Sequence, residues 1–347
     1  MQKRVFYVNY YGQPIFKDTL AANDVELISL AADASTDDIR NIVRSSHVYQ
    51  ISSGVNDIPQ PLLARAPLLD QAEQLVLVSA VGAGYDTIDV GACTERGILV
   101  LNQSGGGNAQ AVAEHTLGMM LCLSKRIIDS DRHMRREDGI LRHDYTGHNL
   151  QGKTLGIIGF GHVGRRLATI CQAVLQMRIL VSDTHRVPAD VAPYDARLVP
   201  LHSMLQQSDF VAVCCSLTPE THHMMGAPEF ALMQPHAYFI TTARGGIHDE
   251  QALVHALQQK QIAGAGVDVW DVEPPPRNHP LLQMNHVIAS PHIAGATVES
   301  RIEASQTAAR RILNVFEGKR PDRPLNPEAW PAFRKRFERV FGFAPEA

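Results

Sequence analysis

The chain has 347 residues, 45% apolar and 20% charged, with a formal net charge of -4. That balance belongs to an ordinary globular protein of about two domains, and it excludes a disordered, fibrous or strongly basic nucleic-acid-binding chain. No apolar run reaches the roughly 18 residues a membrane span needs, and the apolar stretch near the N-terminus is too short for a secretion signal. The five cysteines, Cys93, Cys122, Cys171, Cys214 and Cys215, are odd in number and sit in apolar stretches. Free thiols of a reducing compartment look like this, so the cytoplasm is expected.

Short β-branched runs alternate with segments of helical period, the signature of parallel α/β architecture. Strands are expected at 4–8, 25–30, 48–51, 75–78 and 98–101. One long helix over 108–128 follows, with Val112, His115, Thr116, Met119, Met120, Leu123 and Ile127 spaced by three and four, which predicts a broad buried face. A second strand series is expected at 155–158, 179–182, 211–214, 238–241, 265–269 and 287–289. The last long helix, 298–317, places Ile302, Ser305, Ala309, Ile312, Leu313 and Phe316 on one face and stops at Gly318, the residue type that caps helix C-termini. Pro321, Pro324 and Pro327 then interrupt regular structure. The tail 328–347 has a short helical pattern (Phe333, Phe337, Val340, Phe341) whose packing partner, either domain or another subunit, the pattern leaves open.

After the strand at 155–158 comes Gly159-Phe160-Gly161-His162-Val163-Gly164, a G-x-G-x-x-G run leading into a helix. Three glycines so spaced are a weak signal alone; the strand before and the helix after make them a dinucleotide-binding fingerprint. Gly159 allows the tight turn, Gly161 lets backbone approach a pyrophosphate, Gly164 lets helix and strand pack, and the helix N-terminus offers N–H groups to the anion. The next strand ends at Asp183, 24 positions beyond Gly159, where a carboxylate accepts from the ribose hydroxyls and repels a 2′-phosphate. NAD is therefore favoured. Arg186 nearby blurs the preference and keeps NADP open as the lesser alternative. Sixteen histidines raise the question of a metal, yet His222-His223, His143 and His148 form no H-E-x-x-H or comparable ligand set, and none is expected.

From about residue 75 to Gly318 the sequence resembles the D-isomer-specific 2-hydroxyacid dehydrogenase family, in particular its glyoxylate/hydroxypyruvate reductase and phosphoglycerate dehydrogenase-like members. Val81-Gly82-Ala83-Gly84-Tyr85-Asp86-Thr87-Ile88-Asp89 is similar to the family's substrate loop, and Asn108-Ala109-Gln110-Ala111-Val112-Ala113-Glu114-His115 to its interdomain helix. Thr241-Thr242-Ala243-Arg244-Gly245-Gly246, Ala265-Gly266-Val267-Asp268-Val269 through Glu273-Pro274, and Ser290-Pro291-His292-Ile293-Ala294-Gly295-Ala296-Thr297 complete five motifs in the family's order. The resemblance implies an α/β fold of two doubly wound Rossmann-like domains, with the cofactor domain (103–294) inserted into a discontinuous substrate domain (1–102 and 295–347). It also implies a homodimer through the cofactor domains. Thr218-Pro219, Thr242 and Ala243 would line the cofactor cleft, and Asp268 would face the nicotinamide carboxamide.

The chemistry implied is reversible reduction of a small 2-oxo acid by NAD(H). Arg244 would grip the carboxylate with its fixed fork of donors and stabilise the developing alkoxide. His292 is the natural acid/base, and Glu273 would hold its second ring nitrogen. Backbone N–H groups at Ala83 and Gly84 would supplement Arg244 on the carboxylate. No G-x-S-x-G serine accompanies the histidine and carboxylate, so hydrolysis is not expected. The phosphoglycerate enzymes carry an arginine after the third strand; here the region is Tyr49-Gln50-Ile51-Ser52-Ser53-Gly54-Val55. Residues 52–56 are expected to line the pocket and to suit a short, unphosphorylated acid such as glyoxylate or hydroxypyruvate. Formate dehydrogenases pair the histidine with glutamine, which Glu273 departs from. A rival of another class is an NAD-sensing binding protein like the family's corepressors, and turnover separates the two.

Overall fold

The computed structural model describes residues 1–103 and 107–346, with the side chain of Asn56 outside the described part. The chain divides into two compact units, Met1–Asn108 with Thr297–Ala347, and Ala109–Ala296. The joints fall at 108/109 and 296/297, where the sequence expectation has 102/103 and 294/295.

The first unit is built on β1 (Lys3–Val8), β2 (Val25–Leu30), β3 (Val48–Ile51), β4 (Leu77–Ala80) and β5 (Leu99–Leu101). All neighbours are parallel, in the order β2-β1-β3-β4-β5. β3, β4 and β5 are buried at every position, as a sheet covered on both faces requires. Phe6, Tyr49 and Val78 belong to one core. Val5, Leu77 and Leu99 belong to the other, together with Ile312 and Phe316 of the return helix Val298–Phe316 and Phe333 and Phe337 of the tail helix Trp330–Phe341. The open question of the tail is thereby answered: it packs on the first unit. Arg336 reinforces it by donating to the carbonyls of Ala72 and Leu75. β4 begins at Leu77 rather than at 75.

The return helix ends as expected, with Gly318 at φ +78° and Lys319 N–H donating to the Asn314 carbonyl at 2.9 Å. Its apolar face differs from expectation. The buried stripe runs through Ser305, Ala308, Ala309, Ile312, Val315 and Phe316, while Ile302 is 38% exposed. Ser305 Oγ accepts the Gln13 N–H at 2.9 Å, which seats the middle of the helix and leaves its first turn at the rim.

The second unit contains β6 (Thr154–Ile158), β7 (Arg178–Ser182), β8 (Ala196–Leu198), β9 (Phe210–Val213), β10 (Tyr238–Thr241), β11 (Gly264–Val267) and β12 (Val287–Ala289). They are parallel in the order β12-β11-β10-β9-β6-β7-β8. Counted from β6 this is the 3-2-1-4-5-6 order of dinucleotide-binding sheets with one added strand, whereas the first sheet has the flavodoxin-like order 2-1-3-4-5. The order reverses between β6 and β9 here, and between β1 and β3 in the first unit. Ligand crevices open at the carboxyl ends of the strands at such points.

Two features escaped the sequence pattern. β8 is a three-residue edge strand without a buried position, too short and too exposed to leave a period. The helix expected over 108–128 is two helices, Ala109–Ser124 and Ile127–Met134, broken at Arg126 with φ +53°. The break is a tertiary effect: the Ser124 carbonyl accepts the His148 N–H and Ser124 Oγ donates to the His148 carbonyl, each at 2.9 Å, so the returning chain competes for the helix terminus. Among the described residues no helix is long and apolar enough to cross a membrane.

Candidate active site

The glycine loop leaves β6 at the point of reversal. Gly159 has φ +88°, and a Cβ there would lie 2.6 Å from the Cys215 backbone beyond β9, so the crossing of the two strand ends requires glycine. Gly164 packs against the Gly159 carbonyl, where a Cβ would lie 2.4 Å away. His162 and Val163 open the 14-residue helix His162–Leu175, whose first turn receives no side-chain cap from Gly161. A Cβ built on Gly161 meets nothing within 4 Å. The result is a helix N-terminus with open space before it and unpaired N–H donors facing that space.

Asp183, at the end of β7, completes this side. One carboxylate oxygen accepts the Phe160 N–H at 2.7 Å and the other accepts the His185 N–H at 2.8 Å. The acid is thereby tied to the glycine loop, and Arg186 Nε stands 3.9 Å from it. These residues fit a dinucleotide: an anion cradle at the end of β6 beside a carboxylate at the end of the neighbouring β7. Thr218 and Pro219 lie in the exposed loop after β9, in a turn closed by Thr218 N–H donating to Thr221 Oγ1 at 2.7 Å.

The loops after β10, β11 and β12 adjoin one another and carry Arg244, Glu273 and His292. Thr242, Ala243 and Arg244 follow β10. A Cβ on Gly245 would lie 2.1 Å from the Trp270 carbonyl, so the arginine loop and the loop after β11 abut at that glycine. Gly246 N–H donates to Asp271 Oδ1 at 2.8 Å across the same contact. Arg244 itself donates from Nη1 to the Ala243 carbonyl at 2.7 Å.

Glu273 accepts the Trp270 N–H on Oε1 at 3.1 Å and His292 Nδ1 on Oε2 at 2.8 Å. Burial works to raise the carboxyl's pKa. The hydrogen bond and charge of His292, the Trp270 N–H and the charge of Arg244 outweigh it, and Glu273 lies below the ordinary glutamate value. An ionised Glu273 makes Nδ1 the donating nitrogen and leaves Nε2 outside this contact. His292 sits at φ +54°, uncommon for a residue with a side chain and of order 1 kcal/mol unfavourable. Asp268 holds this turn. Its carbonyl accepts the His292 N–H at 2.7 Å, Oδ1 accepts Ser290 Oγ at 2.5 Å and Ile293 N–H at 2.9 Å, and Oδ2 accepts Ala294 N–H at 2.9 Å.

Asp268, expected to face a carboxamide, is fully buried with both oxygens engaged by the histidine loop. Ser290, Trp270 and His115 join the site without having been given a role there. Ser290 and His115 stand in quoted motifs and Trp270 follows Val269, and that placement is the one signal that could have found them. Among the described residues no group of three or more His, Cys, Asp or Glu could hold a metal.

Ala83 and Gly84 belong to the first unit, in the loop after β4. Gly82 N–H donates to Ser53 Oγ at 3.0 Å, Asn102 Nδ2 donates to the Ala83 carbonyl at 2.6 Å, and Gln103 N–H donates to the Gly82 carbonyl at 2.9 Å. The loop is thus held at its carbonyls and at Gly82, while among the described residues the N–H groups of Ala83 and Gly84 have no partner. Of residues 52–56, Ser52 donates to Asp57 Oδ2 and its carbonyl accepts Thr87 Oγ1 at 2.8 Å.

Residues 117–294 match the profile of the D-isomer specific 2-hydroxyacid dehydrogenase, NAD binding domain. The chain is 36% identical over 267 residues to a glyoxylate reductase of Thermofilum pendens, covering 76% of this chain and 78% of that one. It is 35% identical over 264 residues to a glyoxylate/hydroxypyruvate reductase B of Shigella boydii, covering 76% and 81%. Among solved structures, a D-lactate dehydrogenase from Aquifex aeolicus complexed with NAD and lactic acid superposes with a TM-score of 0.77 at 25% identity, over 90% of this chain and 96% of that one.

Proposed function

Because the chain belongs to the D-isomer specific 2-hydroxyacid dehydrogenase family and is an NAD-dependent oxidoreductase, we propose that it interconverts a short, unphosphorylated 2-oxo acid and the matching D-2-hydroxy acid, with Arg244, Glu273 and His292 as its catalytic residues. The observation that carries this reading is the 2.8 Å contact between His292 Nδ1 and Glu273 Oε2 on loops that adjoin the Arg244 loop. Bound NADH supplies the hydride, and NAD+ takes it back in the reverse direction. The chain's own residues handle the rest. Arg244 holds the substrate carboxylate and stabilises negative charge developing on the C2 oxygen. Glu273 holds Nδ1 of the His292 ring, so that Nε2 is the nitrogen that delivers a proton to that oxygen; in oxidation Nε2 receives it. Ala83 and Gly84 N–H groups are assigned to the carboxylate, and Gly159 to Gly164, Asp183, Thr218, Pro219, Thr242 and Ala243 to the dinucleotide.

The loop after β3 supports a small, uncharged substrate tail. Ser52 and Ser53 follow β3 in the region where the phosphoglycerate enzymes carry an arginine, and Ser52 is bonded to the Asp57 carboxylate, whose negative charge a phosphate there would meet. Glyoxylate and hydroxypyruvate are the acids best suited. Five free cysteines support a cytoplasmic setting. A homodimer through the second unit is supported by Met134 and Leu141, 74% and 63% exposed on a stretch with no buried residue in either of its helices.

The test is NADH and NADPH oxidation over glyoxylate, hydroxypyruvate, pyruvate, phenylpyruvate and 3-phosphohydroxypyruvate, with His292→Ala beside wild type. Turnover of a short acid with NADH, lost in the variant, is the expected result. Preference for the phosphorylated or aromatic acid overturns the substrate assignment, and NADH binding without any turnover favours a dinucleotide-sensing role.

A further inference from the structure

The helix Ala109–Ser124 packs against β10, β11 and β12, close enough that a Cβ on Gly266 would lie 2.9 Å from Met119 Sδ. Adjacent residues on this helix, His115 and Thr116, meet the loops that follow those strands. His115 Nε2 is 3.0 Å from Ser290 Oγ, and Thr116 Oγ1 is 3.1 Å from Thr242 Oγ1. Each hydroxyl partner stands two residues before a catalytic residue: Ser290 before His292, Thr242 before Arg244. Packing alone calls for apolar side chains at such positions, and two polar contacts at the same offset from two catalytic residues are not a packing requirement.

Proton accounting fixes the sense of both contacts. Ser290 spends its one hydroxyl proton on Asp268 Oδ1 at 2.5 Å, so it accepts from His115, whose Nε2 carries the hydrogen. Thr116 spends its proton on the Val112 carbonyl at 2.8 Å, so Thr242 donates to Thr116. A directed chain then runs from His115 Nε2–H to Ser290 Oγ–H to Asp268. Asp268 in turn binds the backbone N–H groups of His292, Ile293 and Ala294. The side chain of Asp268 is fully buried, so nothing but these partners satisfies it.

We propose that His115 and Thr116 are positioning residues: from one turn of the helix they orient Ser290 and Thr242, and through them the loops that carry His292 and Arg244. Neither touches substrate or dinucleotide. The inference rests on the catalytic assignment of His292 and Arg244 made above.

The test uses the full-length enzyme with NADH and the best acid of the panel. His115→Leu is expected to lower kcat roughly ten- to hundred-fold, the scale on which a misplaced catalytic group costs rate. Dissociation of NADH, read by its fluorescence, and KM for the acid should stay within about threefold of wild type. His115→Gln, which keeps an N–H near the Nε2 position, should restore most of the loss, and Thr116→Val should lower kcat by a smaller factor. In the ligand-free protein the amide hydrogens of His292, Ile293 and Ala294 should exchange faster in His115→Leu than in wild type. If His115→Leu does not fold, Ser290→Ala breaks the same chain without altering the helix and should give the same pattern. A kcat within about threefold of wild type in His115→Leu or Ser290→Ala overturns the proposal. A loss that His115→Gln shares in full and that tracks thermal stability also overturns it, in favour of a packing role. His292→Ala is run alongside: activity retained there removes the catalytic assignment and this inference together, whereas loss there with full activity in His115→Leu removes the bracing role alone.

Discussion

The two sheets are the same kind of object and carry different things at their carboxyl ends. Both are parallel, buried on both faces, and reverse their strand order once. In the first unit the strand ends carry hydroxyls, amides and a carboxylate held by one another: Ser53 to Gly82, Asn102 to Ala83, Ser52 to Asp57. In the second they carry a helix N-terminus, a strand-end carboxylate tied to the glycine loop and a histidine–glutamate pair beside an arginine loop. Topology provides the crevice in each case, and on the function proposed above the loops decide whether it reads a small acid or holds a dinucleotide and moves a proton.

If the units divide the work in this way, variants in the second should change kcat or NADH binding, and variants in the first should change KM for the acid. The largest effect expected is at His292→Ala, which removes the proposed proton donor and should lower kcat about 10³-fold, with NADH dissociation unchanged by fluorescence titration. Rate retained in this variant breaks the comparison at once.

Each unit also holds one buried histidine, and both are lowered from 6.5 to about 4. His47 is lowered by burial and then by Arg4, and its Nδ1 accepts the Arg4 N–H at 3.0 Å. His248 is lowered by burial against the opposing pull of Asp271 and Asp249. Since the folded values lie below the unfolded one, the unfolded chain binds more protons between pH 6.5 and 4. Stability should therefore fall as pH drops through that window, by roughly 3 kcal/mol per histidine in full. Thermal denaturation from pH 7 to 4.5 should show the slope, and His47→Asn with His248→Met should flatten it; an unchanged slope rejects the assignment.

Smaller effects sharpen the division. Gly161→Ala places a methyl in open space before the nucleotide helix, so the melting temperature should hold while NADH binds about tenfold more weakly. Ser53→Ala removes the acceptor of the Gly82 N–H and loosens the loop bearing Ala83 and Gly84. KM for the acid should rise about threefold, with NADH affinity and kcat kept. A shift in NADH affinity from Ser53→Ala, or in KM alone from Gly161→Ala, would contradict the division of labour.

Much of this molecule is local and therefore legible in the chain. β-branched runs mark the strands because both faces of each sheet must be apolar. The run Gly159 to Gly164 marks the nucleotide turn because a side chain at Gly159 would strike the Cys215 backbone. Asp183 stands at a strand end because the turn needs an acceptor for the Phe160 N–H there. The motifs around Arg244, Glu273 and His292 likewise appear in order along the sequence.

What the chain does not display is long-range competition for hydrogen bonds. The helix expected to run on past Ser124 stops there because residue 148 claims the same carbonyl. The tail shows an apolar face but not its partner, since Phe333 and Phe337 would suit any apolar surface and only the fold offers them the first sheet. Asp268 looks like any strand-end acid until residues 290–294 close around it. Periodicity by itself marked all the strands but β8, the glycine run marked the loop that takes a dinucleotide, and the family resemblance of the motifs singled out three side chains as candidates for the chemistry. Only the tertiary structure decided which donors and acceptors those side chains answer to, because each hydroxyl and carbonyl has few bonds to give and the partners that claim them lie far away along the chain.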